Sequence, residues 1–316
     1  MPVIRYFLRR LTYILVTLLI VTAVLFAAIM VTPPETRAWL YMPSNLPSRI
    51  TEEQIQQLLE NRIETYHLDA PFPVQYYYWL ANLVKGNWGY SPTLHENVFT
   101  ALVRRTPVTA ELTLFAMLAF FPLGLISGVL SGKGQNKPGD VIFRLTTFIA
   151  TSLPPFIFSL LLMSLFYVTL YWFAPGRTSP AVGIVINSDE FRQITGLLTV
   201  DGLLNRRPDI TLDALRHLSM PVITLVVAHW ATLGRITRVS MIDELHQDYI
   251  TAARARGVYE RRITWKHALR NAILPALASS MLSTATLITG VYIVEIIFNI
   301  PGISIIAVRS MEYTPD

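Results

Sequence analysis

The sequence contains no cysteine and little charge. Asp, Glu, Lys and Arg make up only 15% of its 316 residues, whereas 52% are hydrophobic. The lack of cysteine excludes disulfide bonds, thiolate metal sites and cysteine nucleophiles. A soluble domain would carry charge on about a quarter of its residues. Because the apolar residues are concentrated in long uncharged runs, the composition indicates a polytopic membrane protein.

Sequence motifs for nucleotide binding and hydrolysis are also missing. There is no P-loop, no H-E-x-x-H, no G-x-S-x-G and no dinucleotide-binding fingerprint. The six histidines are scattered, and no two have the i, i+3 or i, i+4 spacing of a metal-binding helix. We therefore predict no enzyme activity, no ATPase site, no cofactor and no metal. Basic cytoplasmic loops explain the net charge of +5 better than a nucleic-acid partner does.

Five runs are long and apolar enough to cross the bilayer as helices, at about 1.5 Å per residue. They cover residues 11–31, 112–130, 145–173, 215–238 and 273–297. The fourth is long enough only if Arg235 and Arg238 belong to the helix and extend their side chains to the inner interface. The fold class predicted is therefore an all-α polytopic membrane protein.

The charges around these runs predict their orientation and a division into three parts. Arg5, Arg9 and Arg10 precede the first run, which favours a cytoplasmic N-terminus. A cleaved signal peptide is the alternative, but the run is longer than a usual signal segment. We predict a cytoplasmic tip with the first span at residues 1–31 and a transmembrane core at 108–316. Between them, residues 32–107 form an external segment.

The external segment combines a balanced charge with an amphipathic helix. Residues 32–107 contain seven acids against six Lys or Arg, which suits the external side. Thr51 and Gln54 have the spacing of a capping box in front of a helix-patterned stretch.

Two acids and a proline pair interrupt the spans. Glu111 and Glu295 lie near the predicted outer ends of the second and fifth spans, so we expect both at the interface rather than inside the membrane. Pro154 and Pro155 must kink or break the third span. The break is either a bend beside a translocation route or a simple packing kink.

Hydroxyl-bearing residues recur at helical spacing along the fifth span. Ser279, Ser283 and Thr286 fall on one predicted face. Such residues let helices pack closely. Tight packing is one interpretation, and the polar lining of a substrate path is the other.

Asp248 to Pro275 is the most basic of the helix-patterned stretches. Residues 234–270 hold eight Lys or Arg against four acids, which places the stretch in the cytoplasm. Asp248 is predicted to be the N-cap, and Gly257 the left-handed residue that ends the helix. The helix between them would have about eight residues and a length of about 12 Å. Such a helix is better suited to binding another protein than to catalysis.

This stretch resembles the cytoplasmic EAA loop of bacterial ABC-importer permeases. It is most similar to the dipeptide, oligopeptide and nickel permeases, in their first-subunit (DppB/OppB-like) branch. The matches in the loop are Ala253–Gly257, His267–Asn271 and Leu274–Pro275. Further matches are Leu68-Asp69-x-Pro71, Gln75-Tyr76, Gly86-x-x-Gly89-x-Ser91, Ala214–His217 with Pro221, and Val294-Glu295 before Pro301-Gly302. The resemblance covers essentially the whole chain.

The resemblance implies a type I (MetI-like) transmembrane domain in the bacterial inner membrane. It implies a sixth span after the Pro301-Gly302 turn, which we expect beyond Asp316. The function implied is half of a translocation pathway for peptides or a related small solute. The implied partners are a second, usually different permease subunit, two cytoplasmic ATP-binding subunits, an extracytoplasmic substrate-binding protein and the lipid bilayer.

Coupling to the ATPase is implied for residues of the loop at 248–275. They are Asp248, Ala252, Ala253, Arg254, Arg256, Gly257, Arg261, Arg262, His267, Asn271 and Pro275. Thr251 stands where the family has glutamate, so an ion pair with the ATPase is not implied there. For the pathway we predict Pro154, Pro155, Ser279, Ser283 and Thr286.

Three other functions have to be weighed against an importer subunit. A membrane scaffold or assembly protein without a transport role would bind no ATPase. A channel would need a ring of charges or carbonyl groups in a pore, and no span supplies one. A secondary transporter would need buried carboxylates for ion coupling, whereas Glu111 and Glu295 are predicted at the interface.

Overall fold

A computed structural model describes residues 2–41, 51–91, 93–94 and 96–312. These residues are mostly helical, as predicted, with one short antiparallel pair of strands, Tyr90–Ser91 (β1) and Glu96–Asn97 (β2). They form two compact units, residues 1–103 with 306–316 and residues 104–305. The division of the chain after residues 31 and 107 stays a prediction. Residues 42–50 of the predicted external segment lie outside the described residues.

The described residues of the first unit contain the first span, three further α-helices and a single 3-10 turn at Trp39–Tyr41. Their bounds are Pro2–Ile29 (α1), Pro34–Ala38 (α2), Glu52–Thr65 (α3) and Phe72–Val84 (α4). The apolar side chains of α1 are exposed, as expected for a helix in lipid. At the start of α3, Gln54 accepts the Thr51 N–H at 3.1 Å, as the capping box predicts.

A buried guanidinium joins α2 to the segment around the start of α4. Arg37 donates to Oε1 of Gln75 at 2.8 Å, to the Leu68 carbonyl at 2.8 Å and to the Thr32 carbonyl at 3.0 Å. Gln75 in turn donates to the carbonyls of Leu68 and Ala70. These bonds join α2 to the turn before α4, since a buried polar group must be paired.

The second unit contains the remaining spans. The bounds of its helices are Val98–Lys133 (α5, which begins in the first unit), Pro138–Ser152 (α6), Pro155–Leu162 (α7), Pro180–Ile186 (α8), Leu198–Leu204 (α9) and Pro208–Leu245 (α10). Then follow Asp248–Ala255 (α11), Glu260–Arg262 (α12), Leu269–Ile297 (α13) and Ile303–Glu312 (α14), whose last residues belong to the first unit. Two π-helical segments, Met163–Thr169 and Ile263–Ala268, follow α7 and precede α13.

The number of spans agrees with the sequence. Among the described residues, four helices are long and apolar enough to cross a membrane, and α6 with α7 and its π-helical extension makes a fifth if the bent pair is one span. The pair is bent by 96° at Pro154, which confirms that the third span breaks there. The fourth helix begins at Pro208 rather than near 215, and the fifth begins at Glu260 rather than 273.

Glycines bring α5 and α10 into close contact. A Cβ atom added at Gly128 would lie 2.6 Å from both the Gly234 carbonyl oxygen and the Thr237 Cβ. Gly124 and Gly132 approach Leu233 and Met241 in the same way, one turn to either side. The absence of side chains on this face lets the two backbones pack closely, which is how membrane helices associate.

The extension of Arg238 to the inner interface stays a prediction, and its side chain binds the start of α6. Its Nε and Nη2 donate to Asp140 at the start of α6, at 2.5 and 2.8 Å. The Asp140 side chain is fully buried and also accepts from the Ser131 hydroxyl and the Asn136 N–H. A buried carboxylate must be paired, and Arg238 supplies the opposite charge. Arg235 is exposed.

Glu111 and Glu295 are buried within the protein and hydrogen-bonded, and their placement near the outer interface stays a prediction. Glu111 pairs with Arg177 at 2.7 Å and accepts from the N–H and hydroxyl of Thr199. Its partners are far from it in sequence, so its surroundings could not be inferred from position in the span.

Glu295 binds the turn that follows α13. It accepts from the hydroxyl of Thr109 and from the N–H and hydroxyl of Ser304. A Cβ atom at Gly302 would overlap the Glu295 carboxylate, so only glycine fits beside it. The Pro301-Gly302 turn predicted from the sequence is therefore present, and α14 begins directly after it.

Candidate coupling loop and its attachments

The predicted coupling helix is present as α11, with eight residues. Asp248 is its first helical residue, and Gln247 occupies the N-cap, so the prediction of Asp248 as the cap is wrong by one position. A carboxylate in the first turn still interacts favourably with the helix dipole. Gly257 has φ +73°, which confirms the predicted left-handed stop.

The end of α11 is closed by local hydrogen bonds. The N–H of Gly257 donates to the Arg254 carbonyl at 2.9 Å, and the N–H of Val258 donates to the Ala253 carbonyl at 3.1 Å. Arg254 pairs with Glu260 at 2.7 Å across the turn, and its Nη1 lies 3.5 Å from the carbonyl oxygen of Leu245. Arg254 is thus engaged within the loop.

An apolar side chain anchors α11 to the spans. Ile250 is completely buried in a cluster with Met241 of α10, Val129 of α5 and Ala272 of α13. Ile263 and Ala268 of the π-helical segment complete this cluster. Burial of a side chain of this size contributes about 1.5–3 kcal/mol. This anchor is not apparent from the sequence, because one isoleucine in a basic stretch has no periodic partner.

A polar contact at the first turn of α11 was also missed by sequence reasoning. The Tyr249 hydroxyl donates to Oε2 of Glu244 at 2.5 Å and accepts from Nδ2 of Asn271 at 3.1 Å. Asn271 itself lies 3.5 Å from the same carboxylate oxygen. Three helices therefore meet at one hydroxyl: the end of α10, the start of α11 and the start of α13.

Three of the predicted loop arginines face outward. Arg256, Arg261 and Arg262 are exposed, and within the described part of the chain no acid pairs with them. Thr251 is exposed on the same loop. The loop therefore presents a surface of unpaired positive charge.

The other predicted loop residues differ in burial. Ala252 and Pro275 are exposed, whereas Ala253 and His267 are half-buried. Pro275 lies inside α13, so the loop continues into the span without a break.

The predicted pathway residues are not brought together on one surface. Pro154 is the N-cap of α7, and Pro155 lines an apolar cavity of about 240 Å³ beside α6 and α10. Ser283 is buried in the packed face of α13, Ser279 is half-buried and Thr286 is exposed. Their assignment to a substrate path stays a prediction.

Comparison with known proteins identifies the family. Residues 121–314 match the family described as the inner membrane component of binding-protein-dependent transport systems, and residues 3–113 match its N-terminal component. The chain belongs to this family. It is a multi-pass membrane protein and the permease subunit of an ABC importer, part of a transporter complex. The alternative of a membrane scaffold without a transport role is not favoured.

Curated relatives of this permease are named for peptide-like solutes. The di/tripeptide transport system permease DppB of Pseudomonas aeruginosa is 32% identical over 295 residues, 93% of this chain and 84% of the relative. The oligopeptide transport system permease AppB of Bacillus subtilis is 34% identical, covering 79% of this chain and 72% of its own. The glutathione transport system permease GsiC of Pectobacterium atrosepticum is 29% identical, covering 97% and 86%.

Proposed function

We propose that this permease forms half of a translocation pathway for peptides or a related small solute. In this proposal it lies in the bacterial inner membrane with a cytoplasmic N-terminus and has no ATPase site of its own. It pairs with a second permease subunit, and an extracytoplasmic protein delivers the solute. Two cytoplasmic ATP-binding subunits supply the energy by moving the loop at residues 248–275.

The attachment of α11 to three spans is the observation that carries this proposal. Ile250 is buried between side chains of α5, α10 and α13, and Tyr249 contacts α10 and α13. A force applied to the exposed face of α11 therefore reaches the ends of these spans directly. A loop that only set the membrane topology would not need such contacts.

The exposed charges define what the ATPase surface must offer. Arg256, Arg261 and Arg262 require an anionic partner surface, because like charges in contact would be repelled. The glutamate expected from the family is Thr251 here, so no acid of the loop pairs with the ATPase at that position. Charge complementarity would thus run from permease cations to ATPase acids.

The proposed solute class follows from the relatives. Two are named for peptides and one for glutathione, which is itself a tripeptide. A solute with amide groups and a free carboxylate is common to all three. We therefore propose a short peptide or a peptide-like molecule as the solute of this permease.

Co-purification of the ATPase with charge-reversed permeases tests the proposal. The full chain is co-expressed with its candidate partner subunits and isolated through a tag in mild detergent. Arg256→Glu together with Arg261→Glu is expected to release the ATPase. Arg192→Glu is the matched control, since Arg192 is exposed between α8 and α9, away from the loop. Absence of an ATPase from the wild-type complex, or its retention by the double variant, would contradict the proposal.

A further inference from the structure

We propose that the hydrogen bonds of the Tyr249 hydroxyl to Glu244 and Asn271 make α11, α10 and α13 move together during transport. The proposal rests on the coupling function proposed above and assigns a positioning role to two residues outside the predicted set, Tyr249 and Glu244. It concerns how motion is passed on, and not how the ATPase is bound.

The geometry places the hydroxyl at the junction of three helices. Glu244 lies in the last turn of α10, Tyr249 in the first turn of α11 and Asn271 in the first turn of α13. The hydroxyl donates to the carboxylate and accepts from the amide, so both of its hydrogen-bonding functions are used. One side chain of α11 is thereby bonded to both neighbouring spans.

The contact contributes little to the stability of the fold. Its hydrogen bonds are exposed, so water competes for the same donors and acceptors and their net contribution is small. The apolar anchor at Ile250 already holds α11 against the spans. Tyr249, Glu244 and Asn271 add a directional constraint on the position of α11. An apolar contact resists separation but allows sliding, whereas hydrogen bonds fix the lateral position of the helix.

The chemistry of the hydroxyl suits a constant link. Desolvation raises the pKa of Tyr249, and its hydrogen bond to Glu244 raises the pKa further. The hydroxyl therefore keeps its proton throughout the physiological range and remains a donor to the carboxylate. Ionisation of the tyrosine therefore does not break the link in this range.

A second polar attachment of α11, made by Arg254, joins different elements. Arg254 reaches Glu260 and the Leu245 carbonyl, and so ties the end of α11 to its own loop and to α10. It makes no contact with α13 among the contacts of the described residues. Tyr249 is therefore the polar side chain of α11 through which α10 and α13 are joined.

The test compares transport per ATP in complexes reconstituted with the ATPase and binding-protein partners. Tyr249→Phe removes the hydroxyl alone, and we expect the solute transported per ATP to fall about fivefold, a typical coupling effect. Tyr259→Phe is the matched control, because Tyr259 is 84% exposed on the same loop and is not one of these three hydrogen-bonded residues. Glu244→Gln retains an acceptor oxygen and is expected to keep most of the coupling, whereas Glu244→Ala loses it.

Two further readouts separate coupling from folding and from docking. The ATPase is expected to co-purify equally with wild type and Tyr249→Phe, and their thermal midpoints should agree within about 2 °C. Asn271→Ala should match Tyr249→Phe, and the double variant should be no worse than either, because all act on one contact.

Three results would contradict the proposed role of Tyr249. They are unchanged transport per ATP in Tyr249→Phe, an equal loss in Tyr259→Phe, or loss of the ATPase from the Tyr249→Phe complex. Failure of the wild-type chain to bind any ATPase is a different result, since it would overturn the proposed function itself.

Discussion

Replacing Asp140 with asparagine tests the ion pair that joins α6 to α10. The change keeps the size of the side chain and removes its charge. Arg238 loses two charge-assisted hydrogen bonds, at 2.5 and 2.8 Å, and faces an amide. The Ser131 hydroxyl donates to Oδ1 and the Asn136 N–H to Oδ2, so the single oxygen of asparagine can keep one of these two bonds. The largest loss falls on Arg238, because the other cation beside Asp140, Arg144, is 3.7 Å away and half-exposed.

The expected cost follows from the burial of the pair. Breaking a fully buried ion pair on one side costs about 3–5 kcal/mol. The Arg238 side chain retains 15% exposure, so water can solvate the guanidinium in part. We expect a loss of about 2–3 kcal/mol in the free energy of unfolding. For a unit of about 200 residues this lowers the thermal midpoint by roughly 4–12 °C.

The assay is thermal unfolding of the full chain in mild detergent at one heating rate. Asp209→Asn is the matched control, because Asp209 also pairs with an arginine, Arg207, but both side chains are exposed. It should leave the midpoint unchanged. Asp140→Asn combined with Arg238→Gln should recover at least half of the loss, since no unpaired charge remains. Equal midpoints for Asp140→Asn and Asp209→Asn would refute the reasoning.

Two glycine substitutions give further predictions for the same assay. Gly302→Ala should lower the thermal midpoint because the added methyl group overlaps the Glu295 carboxylate; Gly139→Ala, which meets open space, should not. A smaller effect at Gly302 than at Gly139 would contradict this. Gly128→Leu should separate α5 from α10 at Gly234 and cost at least about 3 kcal/mol, detected as loss of a monodisperse peak in size-exclusion chromatography. An unaltered elution profile would show that the helices do not approach closely there.

Features carried by local pattern could be predicted from the sequence. The length and apolarity of the runs predicted the spans, because a lipid-facing helix needs both. Gly257 was predicted as a left-handed stop and Pro154 as a break because each residue restricts its own backbone. Both ends of α10 and the start of α13 were misplaced, since hydropathy no longer marks a helix beyond its apolar run, whereas the end of α13 at residue 297 was predicted correctly.

Contacts between distant residues could not be predicted in the same way. Glu111 meets Arg177 and Thr199, and neither lies at a helical spacing from it. Asp140 and Arg238 are 98 residues apart. The one available signal was that an acid in an apolar run is costly and therefore paired. Applied to Glu111 and Glu295, it would have indicated buried partners without naming them.

Cross-linking through a single introduced cysteine tests most directly whether α11 contacts the ATPase. The chain has no cysteine, so Ala252→Cys supplies its only thiol, on the exposed face of α11. Ala181→Cys places the same residue on exposed α8 as the matched control. A thiol-to-amine cross-linker applied to the reconstituted complex should join position 252, and not position 181, to the ATPase subunit. No ATPase adduct at 252, or equal adducts at both positions, would contradict the account.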